Sequence, residues 1–463
     1  MLNPHIFRQY DIRGVVGPDV DATVAEGIGR AFASLAIRRL GKRDVHLVLG
    51  RDNRLTSPEL AAAVRRGMLS TGVTVTDVGM VPTPTHSFAV AYLQTDGGLQ
   101  VTGSHNPPQY NGFKMTLGGR SVFGDTIQEI RRMIEEGDFE TGEGTAQERE
   151  IIADYIREVS AKFSIDKPIK VVLDCGNGTG SLVAVDLLNA LGQNVEVVPL
   201  FCESDGTFPN HHPDPVVDKN LEDLIRTVRE TNADLGVAFD GDADRIGAVD
   251  DRGQIVRGDT LLLLYGLDVI ERRGPGQKVV FDVKCSQLLP EEIEKAGGIP
   301  LMNATGHSLI KERMKEEHAL IAGELSGHIM FGDDYYGFDD APYGACLLIS
   351  IVSKLGRPLS ERLADFPTYV STAEIRYPSS EEEKWNVVSR AIEHFRAGHE
   401  VVDVDGARVL FGDGWGLIRA SNTEPVLVAR YEARNPARLA EIRGEMESWL
   451  RADGVDATPT TGH

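Results

Sequence analysis

The sequence predicts an α/β protein built from parallel sheets covered by helices, with a separate α+β domain at its end. Short β-branched runs alternate with amphipathic helical stretches through about the first 365 residues, and this alternation is typical of parallel sheets. After that point the pattern changes to a helical stretch, a hairpin-like pair around residues 412–414 and a further strand-like run. A chain of 463 residues is long enough for several domains.

The first strand–helix–strand cycle shows how the elements follow from the residues. Residues 45–50 (VHLVLG) predict a buried strand and residues 73–79 the next one. Between them, residues 58–69 predict a helix, with Ser57 as its N-cap and a proline at its first position. The acidic stretch 135–150 is expected to be a solvated connector.

The same order returns twice further along the chain, so the pattern predicts three related units. The similarity is one of pattern and not of residues. The predicted strands are 169–174, 195–200, 235–240, 278–283 and 299–304, and the predicted helices are 181–191 and 287–296. In the last domain, helices are expected at 381–395 and 436–450. The expected domain bounds are 1–150, 151–253, 254–366 and 367–463.

Composition excludes several classes of partner. Lys and Arg number 48 against 70 Asp and Glu, a net charge of −22, so neither nucleic acid nor an anionic membrane is an expected partner. Residues 1–14 contain no apolar signal region, and no apolar run approaches the ~20 residues of a membrane span. The four cysteines form no C-x-x-C pair, so we expect reduced thiols in a cytoplasmic protein. These are Cys175, Cys202, Cys285 and Cys346.

Residues 100–114 (QVTGSHNPPQYNGFK) place a serine in a stiff loop directly after a predicted strand. Two prolines end regular structure there, and Gly103 allows another group to approach closely. Ligands of open α/β sheets collect at the carboxyl ends of strands. Ser104 is therefore a candidate acceptor hydroxyl, with the basic side chains of His105 and Lys114 within reach.

Asp240, Asp242 and Asp244 alternate directly after an apolar strand. Three carboxylates this close repel one another unless a cation joins them, and hard oxygen ligands suit Mg²⁺ or Ca²⁺. An EF-hand loop is rejected because Arg245 occupies the position that requires glycine, and because a strand precedes the loop instead of a helix. The alternative is a polar turn with solvated aspartates. Arg245 adds a cation suited to a phosphate oxygen.

Glu324, Ser326 and His328 alternate within AGELSGHIMF (322–331), so an extended backbone would place them on one face. A carboxylate, a hydroxyl and an imidazole together suit recognition of sugar hydroxyls or proton transfer. The alternative is a surface strand with polar alternation. Upstream, His307 lies in a small polar turn, where a ligand-binding and a structural role remain equally open.

The segment 416–425 (GLIRASNTEP) combines a guanidinium with small hydrogen-bond donors after a predicted strand, which suits phosphate. The donors are Arg419, Ser421, Asn422 and Thr423. The four segments lie in four predicted domains, and each supplies one element of phosphoryl transfer. A further segment, 175–180 (CGNGTG), is one residue short of a dinucleotide-binding loop, and we interpret it as tight strand-to-helix packing.

Together these motifs resemble the α-D-phosphohexomutase superfamily, particularly its bacterial phosphomannomutase/phosphoglucomutase branch. The matching stretches, in family order, are FRQYDIRG (7–14), TGSHNP (102–107), DGDADR (240–245), GELSGH (323–328) and RASNTEP (419–425). The resemblance implies a four-domain α/β architecture around a central cleft. Three related α/β domains would be followed by an α+β domain with the fold of the TATA-box-binding protein.

The resemblance also implies a reaction, the reversible interconversion of hexose 1-phosphate and hexose 6-phosphate through a hexose 1,6-bisphosphate. Ser104 would be a phosphoserine, and Mg²⁺ would be held by Asp240, Asp242, Asp244 and a phosphate oxygen on Ser104. Arg245 would neutralise charge on the phosphoryl group in transit. The candidates for proton transfer are His328 and Lys114, with Arg13 and Tyr10 nearby. The implied ligand contacts are Glu324 and Ser326 for the sugar 3- and 4-hydroxyls, Lys284 and His307 for the pocket wall, and Arg419, Ser421, Asn422 and Thr423 for the idle phosphate.

Alternative functions differ at identifiable positions. Glutamine is typical of phosphoglucosamine mutases where this chain has Leu325, so leucine favours the mannose and glucose branch. Both of those sugars stay candidates because they share the equatorial hydroxyls that Glu324 would bind. A Mg²⁺-dependent phosphatase would need water at the serine, and a non-catalytic phosphosugar-binding protein would have lost Ser104 or an aspartate. The protein is expected to be a monomer or a homodimer.

Overall fold

The computed structural model of the chain describes residues 2–422 and 424–458. These residues form four β-sheets, three of them mixed and one antiparallel. We call each sheet, with the helices that cover it, a domain and number the domains I to IV. The expected α/β class with an α+β domain at the end is confirmed. Among the helices of the described residues, none is long and apolar enough to cross a membrane.

Domain I is a seven-stranded sheet with helices on both faces. It contains β1 (Ile12–Val15), β2 (His46–Arg51), β3 (Thr74–Met80), β4 (Gly97–Val101), β5 (Tyr110–Leu117), β6 (Arg120–Ser121), β7 (Thr145–Glu148), α1 (Ala22–Leu40), α2 (Ser57–Leu69), α3 (Thr83–Tyr92) and α4 (Asp125–Glu136). The strand order is β1-β5-β4-β2-β3-β7, with β6 on the outer side of β5. Gly29 and Gly67 let α1 and α2 touch, since a Cβ at either would lie within 2.3 Å of the facing backbone.

Two sequence predictions for domain I are wrong. Ser57 is the first helical residue and not the N-cap of α2; its hydroxyl donates to Asp52 instead. The acidic connector is not wholly unstructured, because β7 pairs in parallel with β3. All four residues of β7 are exposed, so this edge strand is held by backbone hydrogen bonds and shows no apolar pattern.

Domain II repeats the architecture with five strands. It contains β8 (Ile169–Asp174), β9 (Val195–Leu200), β10 (Leu235–Phe239), β11 (Ile246–Asp250), β12 (Ile255–Val256), α5 (Ile152–Ser160), α6 (Ala184–Asn189) and α7 (Glu222–Thr231). Their order is β12-β11-β10-β8-β9. The helix predicted over 181–191 is shorter than expected, because the chain first makes a 3-10 turn over Thr179–Leu182. Gly180 packs on Phe239 there, so the segment is tight packing as interpreted.

Domain III has four strands and a helix that it lends to its neighbour. It contains β13 (Lys278–Asp282), β14 (Ile299–Asn303), β15 (Ile321–Gly323), β16 (Ile329–Phe331), α8 (Gly258–Arg273), α9 (Leu288–Lys295), α10 (His307–Glu316), α11 (Ala341–Leu355) and α12 (Leu359–Leu363). The strand order is β14-β13-β15-β16. Helix α11 packs against β8, β10 and β11 of domain II. Domains II and III therefore share one continuous hydrophobic core.

The three α/β domains share one topology. In each, the first strand lies between the second and the third, and the third continues into an antiparallel fourth strand. The four core strands are β2 to β5, β8 to β11 and β13 to β16. The predicted threefold repeat is thus present as a repeat of strand order.

Domain IV is an antiparallel sheet with two helices on one face. It contains β17 (Val370–Ser371), β18 (Ile375–Pro378), β19 (Glu400–Val402), β20 (Ala407–Leu410), β21 (Gly414–Ala420), β22 (Val426–Ala433), α13 (Glu383–Arg396) and α14 (Pro436–Ala452). The strand order is β17-β22-β21-β20-β19, with β18 also on β22. In β21, Ile418 and Ala420 face the helices, whereas Trp415 and Leu417 pack on Val283 of domain III. Arg419 shares the face of Trp415 and Leu417.

Candidate active site

Three of the predicted motifs occupy the same place in the repeated fold. The loop from β4 to β5 carries Ser104, the loop from β10 to β11 carries the three aspartates, and the loop from β15 to β16 carries Glu324 and His328. Each loop leaves the carboxyl end of the third core strand, which borders the crevice where such sheets bind ligands. The topology alone therefore brings the three motifs to equivalent edges of three sheets.

The Ser104 loop holds its serine in an unusual backbone conformation. Ser104 has a φ of +51° and is 2% exposed. Its hydroxyl lies 3.2 Å from Asp240 Oδ2 and 3.2 Å from His105 Nδ1. Its amide donates to the Thr102 hydroxyl at 2.9 Å. Few L-residues adopt a positive φ without support, so the surrounding groups must hold this serine in place.

Arg54 provides most of that support and was not predicted from the sequence. Its buried guanidinium donates to the carbonyl of Ser104 at 2.8 Å and to three more carbonyls of the same loop, those of Asn106, Pro107 and Tyr110. Asp52 accepts from the Arg54 Nε at 3.1 Å and from the Gly103 amide at 3.0 Å. Burial lowers the pKa of Arg54, with Asp52 and Asp242 opposing that shift. We call Asp52 and Arg54 the serine-loop clamp.

The three aspartates of domain II lie against Ser104 and Lys114 of domain I. One oxygen of each carboxylate lies within 4.8 Å of the other two, and all three residues are buried. Asp242 Oδ2 accepts from Thr83, Thr102 and Lys114, at 2.6, 3.0 and 2.7 Å. Lys114 also bonds Asp244.

Ionisation of the triad follows from burial and from Lys114. Burial raises the pKa of Asp240, and repulsion from Asp244 and Asp242 raises it further. Burial would also raise the pKa of Asp242, but Lys114 outweighs it and the pKa of Asp242 is lowered. Burial would lower the pKa of Lys114, and the aspartates raise it instead. Lys114 is therefore a firmly protonated counter-charge here.

The triad fits a divalent cation. Within the described residues, Asp242 Oδ1 and Asp244 Oδ1 are buried and have no hydrogen-bond partner. Buried carboxylate oxygens without partners are costly, and a hard cation with oxygen ligands would satisfy both at once. The adjacent Ser104 hydroxyl is placed to contribute a further oxygen.

A second chain of contacts leads from Arg245 into domain III. Arg245 Nε donates to His328 Nε2 at 2.9 Å, and His328 Nδ1 lies 2.9 Å from Asp339 Oδ2. Lys311 Nζ lies 2.6 Å from the other oxygen of Asp339. Burial would raise the pKa of Asp339, but Lys311 and His328 hold it well below its usual range. Because Nε2 accepts from Arg245, the imidazole proton is assigned to Nδ1, facing Asp339.

Asp339 and Lys311 were not predicted either. The pair Asp339-Asp340 precedes α11, where an acidic residue is a common N-cap. Only Asp340 caps the helix, through the amide of Tyr343. The second aspartate was the available signal, since one cap needs one carboxylate.

Arg13 and His105 complete the wall around Ser104. Arg13 bonds Asn106 of the serine loop and Asp11 of its own segment. Burial lowers the pKa of His105, and the nearby cations Arg245 and Arg13 lower it further. The structure therefore gathers Arg13 and Arg245 on the side of the loop where His105 contacts the serine.

The predicted extended face at 324–328 is wrong. After β15 the chain makes a turn at Leu325 and Ser326 and resumes pairing at His328. Glu324 is buried and accepts from the Gly306 amide at 2.7 Å, whereas Ser326 is half-buried. Burial raises the pKa of Glu324, and Asp282 adds to the effect. Gly327, with a φ of +88°, allows this turn to press on Ile246.

Tyr10 joins three domains at the other side of the cleft. Its hydroxyl donates to the Thr305 carbonyl of domain III at 2.7 Å and accepts from the Asn422 amide of domain IV at 2.6 Å. Burial raises the pKa of Tyr10 to about 12. His307 lies nearby and stacks on the His328 ring with centroids 5.1 Å apart. The structure thus brings Tyr10, His307 and Asn422 into one cleft.

Arg419 lies at the end of β21 and not in a loop as expected. Its Nε donates to Asp405 at 3.0 Å, and the same carboxylate accepts from the Thr305 amide at 3.0 Å. Ser421 follows the strand, and Thr423 lies outside the described residues. Lys284, on the neighbouring wall of domain III, pairs with Glu374 at 2.8 Å.

This geometry defines a class of site. A buried hydroxyl touches a carboxylate cluster suited to a cation, with a guanidinium and an imidazole beside it. The opposite wall presents a carboxylate, a tyrosine and a second guanidinium from other domains. Such a cleft suits transfer of a phosphoryl group to and from a polyhydroxylated small molecule.

Comparisons with known proteins agree with that class. Models of the phosphoglucomutase/phosphomannomutase family match this chain in four parts: alpha/beta/alpha domain I at residues 4–141, domain II at 153–253, domain III at 257–369 and the C-terminal domain at 374–448. The chain belongs to the phosphoglucomutase/phosphomannomutase family.

Individual relatives match over almost their whole length. The chain is 44% identical to a phosphomannomutase/phosphoglucomutase of Pseudomonas aeruginosa, covering 97% of this chain and 96% of the relative. It is 43% identical to a phosphoglucomutase of Neisseria meningitidis, covering 97% of each. A crystal structure of a phosphoglucomutase/phosphomannomutase family protein from Burkholderia thailandensis superposes with a TM-score of 0.91 at 42% identity, over 99% of this chain and 100% of the other.

Proposed function

We propose that this chain is a reversible phosphomutase that interconverts the 1-phosphates and 6-phosphates of mannose, glucose or both. The contact between the buried Ser104 hydroxyl and Asp240 carries the proposal, because it unites an acceptor hydroxyl with carboxylates suited to a cation. The names of the relatives, which include both phosphomannomutase and phosphoglucomutase, support the same reaction.

Ser104 carries the phosphoryl group in the resting enzyme under this proposal. Mg²⁺ would be held by Asp240, Asp242, Asp244 and a phosphate oxygen on Ser104, and when bound it supplies positive charge that stabilises the phosphoryl group in transit. Arg245 adds a second positive charge there. The serine-loop clamp keeps the Ser104 backbone fixed while the bond to its oxygen breaks and re-forms.

A hydroxyl of the phosphosugar attacks phosphorus and must lose its proton. His328 suits this task, since its Nε2 lone pair is held toward the site while Asp339 binds the Nδ1 proton. Lys114 balances the aspartates instead. The product of this step is a hexose 1,6-bisphosphate, which turns over in the cleft and returns its other phosphate to Ser104. Added bisphosphate would therefore act as an activator.

Recognition falls to domains III and IV. Glu324 and Ser326 would accept and donate to the 3- and 4-hydroxyls in both orientations of the sugar, with Lys284 and His307 along the wall. Arg419, Ser421, Asn422 and Thr423 would bind the phosphate that is not reacting, with Arg13 and Tyr10 at the edge of domain I. We infer a monomer or homodimer in the cytoplasm, since all four cysteines are unpaired thiols.

The test is ³¹P NMR of the protein with Mg²⁺ and a trace of glucose 1,6-bisphosphate. Mannose 1-phosphate, glucose 1-phosphate and glucosamine 1-phosphate are offered in turn, with Ser104→Ala as the matched inactive control. Conversion of the first two to 6-phosphates supports the proposal, and their relative rates give the preferred sugar.

The other outcomes contradict the proposal in distinct ways. Conversion mainly of glucosamine 1-phosphate would assign the chain to the amino-sugar mutases and remove the argument from Leu325. Release of inorganic phosphate alone would indicate a phosphatase. Saturable binding without turnover would indicate a phosphosugar-binding protein.

A further inference from the structure

Two cysteines far apart in the sequence meet at the edge of the domain II sheet. Cys175 follows β8 and Cys202 follows β9, and their sulfur atoms lie 2.9 Å apart. The two strands pair in parallel, and the Cys175 amide donates to the Leu200 carbonyl at 3.1 Å. A disulfide needs sulfurs about 2.05 Å apart, so a movement of less than about 1 Å would join this pair.

The two thiols differ in access to solvent. Cys175 is fully buried, and burial raises the pKa of its thiol, with the contact to Cys202 adding to the effect. Cys202 is only half-buried, so a small oxidant reaches it first. Cys285 and Cys346 are both buried. The pair thus has one exposed thiol to react and one protected thiol to complete a bond.

The loop that follows Cys175 supports the aspartate loop directly. The Thr179 amide donates to the Gly241 carbonyl at 2.9 Å, and a Cβ on Gly178 would lie 2.6 Å from the same carbonyl oxygen. Gly241 stands between Asp240 and Asp242. Any shift of the backbone after Cys175 is therefore transmitted to two of the aspartates beside Ser104.

We propose that Cys175 and Cys202 are a redox modification site, which hydrogen peroxide converts to a reversible disulfide that slows the enzyme. The Cys202 thiolate attacks one peroxide oxygen, so an S–O bond forms, the O–O bond breaks and one water leaves. The Cys175 thiolate then attacks that sulfur, so the S–S bond forms, the S–O bond breaks and a second water leaves. Two thiols are oxidised while one peroxide is reduced to two waters, and a dithiol reverses the change.

The first test measures the bond itself, independently of any activity. The full-length protein is treated with hydrogen peroxide, alkylated, digested and analysed by mass spectrometry, with Cys202→Ser and Cys346→Ala as matched variants. We expect a peptide linking Cys175 to Cys202 in the wild type and in Cys346→Ala, lost on treatment with dithiothreitol and absent from Cys202→Ser. No linked peptide, or oxidation of Cys202 to a sulfinic acid in its place, would overturn the proposal.

The second test measures the consequence and rests on the proposed function. We expect the linked form to lose about 5-fold or more of its mutase activity, with recovery on reduction and no loss in peroxide-treated Cys202→Ser. A linked form with full activity would overturn the coupling to the aspartate loop. Absence of mutase activity in the reduced protein would count against the proposed function only, because the linked peptide is detected without it.

Discussion

The two walls of the cleft are built in different ways. The wall of Ser104, Lys114 and the three aspartates, which we call the transfer wall, is buried and connected by short contacts between charged groups. The wall of Glu324, Ser326, Arg419, Ser421 and Asn422, which we call the recognition wall, is assembled from two domains. It reaches domain I through single hydrogen bonds at Tyr10.

The contacts within the recognition wall are of a kind that a ligand can replace. Glu324 accepts from the Gly306 amide, and Arg419 is held by Asp405. Sugar hydroxyls and a phosphate offer the same donors and acceptors as these partners. In the transfer wall, by contrast, Asp242 has three protein donors on one oxygen, so its position does not depend on the substrate.

The difference suits a reaction in which the substrate presents two phosphates in turn. Phosphoryl transfer requires reacting atoms to be aligned closely, and that favours a wall with one fixed arrangement. A bisphosphate that turns around requires a wall that holds either end. Substitutions in the transfer wall should therefore lower kcat, and substitutions in the recognition wall should raise KM.

Ser104→Ala should have the largest effect, because it removes the oxygen that carries the phosphoryl group. We expect kcat to fall by at least about 10⁴-fold, with no phosphoprotein detected by intact mass. Ser353→Ala removes a buried hydroxyl in α11 and serves as the control. Turnover by Ser104→Ala within 10² of the wild type, as an estimated bound, would remove the serine from the mechanism.

Arg54→Lys tests whether the transfer wall depends on its clamp. Lysine keeps the charge but cannot reach four carbonyls at once, so Ser104 should shift from its place beside Asp240. We expect kcat to fall about 10²-fold with KM little changed. Arg66→Lys, at a largely exposed position, is the control. A rise in KM alone would move Arg54 to the recognition wall.

Asp339→Asn tests whether His328 belongs functionally to the transfer wall. An amide in place of the carboxylate can donate to Nδ1, which favours the tautomer with its proton on Nε2. We expect kcat to fall roughly 10- to 100-fold and the ¹⁵N chemical shifts of the His328 ring to exchange their pattern. Asp333→Asn, which breaks ion pairs in the same loop, should do neither. Unchanged ring shifts would contradict the assignment of Asp339 as a positioning residue.

How far the site follows from the sequence depends on which atoms form it. Ser104, Asp240 and Glu324 could be predicted because polar side chains directly after apolar strands are visible in the sequence. Arg54 could not, because its partners are backbone carbonyls of residues 104–110, which leave no side-chain pattern. Asp405 was missed for a similar reason, since one of its two contacts is the Thr305 amide.

The fold shows the same limit. Buried strands such as β8 and β10 were predictable from apolar runs, whereas β7 is fully exposed and pairs through its backbone alone. The alternation at 324–328 suggested a strand, but Gly327 has a φ of +88° and turns the chain. Cys175 and Cys202 met for a reason of topology, because parallel neighbours bring distant loops together.

Tyr10→Phe should have the smallest effect of the four and tests the recognition wall. The change keeps the ring but removes the hydroxyl that joins Thr305 to Asn422, leaving the transfer wall untouched. Loss of a hydrogen bond worth ~1 kcal/mol should raise KM about 5-fold, with kcat within about 2-fold of the wild type. Tyr369→Phe removes a hydroxyl contact to Glu291 outside the cleft and should change neither constant. A fall in kcat at constant KM would mean that the junction at Tyr10 aligns the reacting groups, and the two walls would then not be separable.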